Sequence, residues 1–125
     1  MVRSTLFERF FGRAKQEVDL DSLRNGAVVE WIVTLPDEKR LGQYLEQLPE
    51  DVRLDVESSA RNLFAAADAF LDSKARQGDI DLDVFYPAME EHLSRRFTWM
   101  NAAAFGRLRG YTGWYCWHEG YCGAR

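Results

Sequence analysis

Cysteine is scarce in this chain. Only Cys116 and Cys122 are present, both among the last ten residues, and two thiols do not make a disulfide framework. No apolar run approaches the roughly 18 residues that read as a membrane-spanning helix. No short apolar run follows a basic start with a small-residue cleavage site, so no secretory leader is expected. Recognisable catalytic signatures are missing as well. There is no Gly-rich phosphate loop after a strand, no zinc-protease helix pattern and no serine nucleophile elbow. These absences lead to the expectation of a cytoplasmic protein with no cofactor, no metal and no catalytic residues.

What is present suits a single packed domain over residues 1–125. The hydrophobic share is 46% and the aromatics number 17, from 8 Phe, 5 Tyr and 4 Trp. That is enough apolar surface for one core at this length. The net charge of −4 conceals a segregation. Residues 1–16 carry four bases and one acid, residues 17–91 carry 18 acids and 7 bases, and residues 92–125 carry five Arg and one acid. One reading is that the basic ends fold back and neutralise the middle. The other is that part of the acidic middle faces a basic partner. Nucleic acid is not an expected partner, because phosphate contacts need Lys and Arg.

The apolar periodicity is helical throughout. Residues 4–18 place Leu6, Phe7, Phe10, Phe11, Ala14 and Val18 on one face. Residues 22–35 keep the helical period, although the AVVEWIVTL run is rich in strand-favouring side chains. Helix is expected there, because a lone strand would leave its backbone groups without partners. Pro36 and Pro49 precede acidic residues and mark two helix starts, giving helices over 37–48 and about 50–76. The second is the long central helix, with Val52, Val56, Ala60, Leu63, Ala67, Phe70 and Lys74 in a near-heptad repeat and Phe64 and Leu71 widening the stripe. Asp83 is expected to cap a helix from Val84 to about Phe97, with Pro87 in its first turn. Thr98 is expected to cap a last stretch over 99–119, interrupted by Gly110 and Gly113 and closed by Gly120. The fold expectation is therefore all-α, a single compact bundle of five or six helices.

Three constellations carry possible chemistry. Asp79, Asp81, Asp83 and Glu90 match positions of a calcium loop, but Val84 stands where Gly is needed and Pro87 falls inside it. A solvated loop that caps a helix explains them better. Cys116, His118 and Cys122 offer soft ligands, yet C-x-H-x3-C is a weak zinc pattern. Two buried free thiols explain them more simply, and a disulfide between them is an alternative. The tail GYTGWYCWHEGY places Trp114 and Trp117 on several sides of a helix. They belong either to a helix wrapped by others, with Gly106, Gly110 and Gly113 allowing close approach, or to a partner surface.

The aromatic distribution from Tyr86 to Tyr121 resembles that of small helical immunity proteins of bacterial toxin systems, without a shared defined motif. With the acidic segregation, the expected function is a non-enzymatic protein-binding protein, an inhibitor or immunity protein. It would occlude a basic partner site through Glu46, Glu50, Asp51, Asp55 and Glu57, with Trp114 and Trp117 as further contacts. The alternatives are a small cysteine- or metal-dependent enzyme around Cys116 and His118, and a membrane-associated adaptor using residues 4–18.

Overall fold

The computed structural model describes residues 20–123. The amphipathic segment 4–18 lies outside the described residues. Five helices and no strand are found among the described residues: α1 over residues 20–31, α2 Glu38–Glu46, α3 Glu50–Gln77, α4 Leu82–Arg96 and α5 Ala102–His118. The molecule is an all-α bundle built around one long helix.

Helix α1 ends four residues earlier than the periodicity suggests. Proline disfavours helical backbone in the residue before it, so Pro36 works against a helical Leu35. Residues 33–35 form a bend instead, closed by an isolated bridge between Ile32 and Pro36. Asp37 caps α2 by accepting a hydrogen bond from the Arg40 amide. Helix α3 has 28 residues, about 42 Å at the helical rise, and stops at Gly78 with φ 139°. The cap of α4 is Asp81, not Asp83: its carboxylate accepts from the Asp83 amide at 3.0 Å. Pro87 therefore lies in the second turn of α4, not the first. Asn101, not Thr98, caps α5 by accepting from the Ala104 amide. Gly110 and Gly113 do not interrupt α5, which is continuous to His118. Its end follows the expected pattern. Gly120 has φ 79°, its amide donates to the Trp117 carbonyl, and the Tyr121 amide donates to the Cys116 carbonyl at 2.8 Å. That pair of bonds is a Schellman closure.

The packing follows from the buried faces. Val56, Ala60, Leu63, Ala67 and Leu71 form a stripe on α3 at spacings of three and four residues. Phe85, Met89 and Leu93 on α4, and Ala104, Leu108 and Tyr111 on α5, close over it. Ala27, Val28, Trp31 and Ile32 bring α1 into the same core. Neighbouring contacts give the helix directions. Arg24 meets Asp55 and Trp31 meets Phe64, so α1 and α3 run parallel. Tyr44 meets Leu23, which makes α2 antiparallel to both. Tyr111 meets Phe64 and the Tyr121 carbonyl meets the Ile80 amide, so α5 runs parallel to α3. The chain thus alternates up and down through five helices.

Candidate functional site

The acidic corner is where α2 passes into α3. Glu46 is the last residue of α2, and Glu50 and Asp51 open α3 after Pro49. All three are exposed, and none forms a side-chain ion pair among the described residues. The turn beneath them is firmly held. Arg53 donates to the Leu48 carbonyl at 2.9 Å and to the Glu46 carbonyl at 3.2 Å.

Asp55 and Glu57 are placed differently. Asp55 accepts both arms of the Arg24 guanidinium, at 2.9 and 3.1 Å. Those hydrogen bonds hold its carboxyl below the usual carboxylate range. Glu57 pairs with Arg61 at 2.9 Å, one turn along α3. Arg61 also grips Glu38 of α2 at 2.6 Å and lies 5.1 Å over the Trp31 ring, whose indole nitrogen donates to Glu38. The hydrogen bond from Arg61 is the main reason that the Glu38 carboxyl is held low. This four-residue network joins α1, α2 and α3. Its Glu57–Arg61 spacing is legible in the sequence, but its long-range members are not.

The two tryptophans occupy the opposite end of the bundle. Trp114 is half-buried and stacks on His118 at 4.6 Å, whereas Trp117 is 58% exposed. Tyr121, four residues on, sits near Asp68 and Asp72 of α3. From Asp51 to Asp72 is about 30 Å along a helix, so the acidic corner and Trp117 lie near opposite ends of α3. Helix α5 is not wrapped on all sides. A Cβ at Gly106 or Gly110 would meet nothing within 4 Å, and only Gly113, under the Tyr86 hydroxyl, is a close approach.

The basic C-terminal segment does not neutralise the acidic middle through direct long-range ion pairs among the described residues. Arg95 pairs with Glu91 one turn away. Arg96 and Arg109 stack over Phe97 and Tyr86, and Arg107 reaches the Ile32 carbonyl. The ion pairs of the middle are made within it: Arg24 with Asp55, Arg40 with Glu30, and Arg61 with Glu38 and Glu57.

The metal-type constellations are dispersed. Asp81 is occupied as a helix cap, and Glu90 lies two turns into α4. His92 stacks on Phe70 and His118 pairs with Glu119. Among the described residues no group of three or more His, Cys, Asp or Glu side chains is arranged to hold a metal ion. Cys116 is fully buried, and burial together with the bond from Cys122 pushes its thiol pKa up. An activated nucleophile needs the opposite shift. No described helix is long and apolar enough to cross a membrane. No protein-family model, no curated protein and no solved structure matches this chain.

Proposed function

We propose that the chain is a non-enzymatic protein-binding protein, an inhibitor or immunity protein in type. Its acidic α2–α3 corner would cover a basic site on a partner protein. The observation that carries this reading is Glu46. Glu50 and Asp51 have a local role, since negative charge at a helix N-terminus stabilises by about 0.3–1 kcal/mol each. Glu46 stands at the C-terminal end of α2, where the helix dipole disfavours a carboxylate, and no basic residue shares that last turn. Its exposed carboxylate forms no ion pair among the described residues, and it extends the negative surface of Glu50 and Asp51. Asp55 and Glu57 flank this corner with charges already balanced by Arg24 and Arg61. Such a surface works mainly by steering a basic partner into register and speeding association.

The test compares wild type with the triple variant Glu46→Gln, Glu50→Gln, Asp51→Asn. Affinity capture from the native host is followed by association kinetics with the captured protein at two salt concentrations. The expected result is a partner retained by wild type, with an association rate that falls with salt and falls again in the variant. Equal capture and equal salt dependence in the variant would remove the acidic corner from the interface.

A further inference from the structure

We infer that Cys116 and Cys122 are a thiol pair poised to close into an intramolecular disulfide when a small-molecule disulfide reaches Cys122. The sulfurs are 2.7 Å apart, with both cysteines present as free thiols. That separation is within about 0.7 Å of a covalent S–S bond, so the two sulfurs already sit in direct contact. The proximity is built by the backbone. The Schellman closure at Gly120 turns the chain back on α5, so that residue 122 returns beside the last buried turn. The hydrogen bond from the Ile80 amide to the Tyr121 carbonyl then pins the returning segment to the α3–α4 connection.

The two sulfurs differ in access. Cys116 is fully buried, whereas Cys122 is half-buried and lines a shallow cleft of about 460 Å3 with Asp79, Ile80, Asp81 and Leu82. This asymmetry assigns the order of steps. The Cys122 thiolate attacks one sulfur of the small disulfide, forming a mixed disulfide and releasing one thiolate, which takes up a proton. The Cys116 sulfur then attacks the Cys122 sulfur and expels the second small thiolate, which receives the proton lost from Cys116. Two protein thiols are oxidised by two electrons, and one small disulfide is reduced to two thiols. The site is independent of the acidic corner, which lies at the other end of α3.

Oxidised glutathione is the probe, added to the folded protein and followed by intact mass and peptide mapping. Wild type is expected to lose two hydrogens, with the link mapped between Cys116 and Cys122 and reversed by a dithiol reductant. Cys116→Ala keeps an apolar side chain in the core and is expected to stop at the mixed disulfide on Cys122. Cys122→Ser is expected to react far more slowly, because the remaining sulfur is buried. Oxidised wild type should melt several degrees higher than reduced. Accumulation of the mixed disulfide in wild type, covalent dimers, or a Cys122→Ser variant that reacts as fast as wild type would each overturn the proposal.

Discussion

Gly26 shows how a single atom reverses an ordinary rule. Replacing an interior helical glycine by alanine normally stabilises by about 1 kcal/mol. In α1 an added Cβ at Gly26 would collide with the Tyr44 hydroxyl, which donates to the Leu23 carbonyl at 3.0 Å. Gly26→Ala should therefore lower stability by about 1–2 kcal/mol, because the displaced hydroxyl loses its bond. Gly106→Ala and Gly110→Ala meet open space and should raise it by about 0.5–1 kcal/mol. Urea denaturation of the three variants measures both signs. Asn25 is the other decisive residue. Its amide donates to the Asp21 and Trp99 carbonyls, and its oxygen accepts from the Asn101 amide at 2.8 Å. Asn25→Ala should cost about 2 kcal/mol by leaving backbone groups between α4 and α5 without partners. Neither role is legible in the sequence. Tyr44 lies 18 residues from Gly26, and Trp99 lies 74 from Asn25, so only the tertiary fold brings them together.

At the scale of elements the periodic signal is strong and the boundary signal weak. The α3 stripe could be read because the three-and-four helical spacing recurs along its 28 residues, as in Val56, Ala60, Leu63 and Ala67. The cap of α4 is Asp81 rather than the expected Asp83, because the two are chemically equal caps and sequence alone does not separate them. The buried Ile80 and the Ile80–Tyr121 backbone bond place the turn that favours Asp81. Asn101 outcompetes Thr98 in keeping with the usual preference for asparagine at caps. The acidic corner was legible as charges in sequence, whereas the Arg24 grip on Asp55 spans 31 residues and was not. Phe64 tests how α1, α3 and α5 cohere. Its ring lies 5.1 Å from Trp31 and 4.8 Å from Tyr111, yet it is only half-buried. Phe64→Ala should cost about 3 kcal/mol, the low end for a core phenylalanine. A loss below about 1 kcal/mol in the same denaturation assay would show that the three rings do not bind the helices together.

For the molecule as a whole, the ion pairs predict the direction of acid sensitivity. The carboxyls of Glu38 and Asp55 are held low by Arg61 and Arg24, so the unfolded chain binds more protons than the folded one at low pH. Their contribution is fully present above the ordinary carboxylate pKa of about 4 and is lost as pH falls through the lowered folded values. Melting temperatures recorded from pH 7 to pH 2 should fall below about pH 4. Glu38→Gln with Asp55→Asn should flatten that fall while lowering the neutral-pH plateau. The alternation of five helices has a mechanical consequence as well. Residues 20 and 123 lie at opposite ends, separated by roughly the length of α3, whereas residue 20 and the turn at 47–49 share one end. A tensile load applied between residues 20 and 123 draws α1 and α5 along their own axes, so the Trp31, Phe64 and Tyr111 contacts must shear together. The same load between residue 20 and the 47–49 turn peels α1 from α2 one contact at a time. Resistance to pulling is thus anisotropic, high lengthwise and low across, and the order of the helices alone determines which direction is strong.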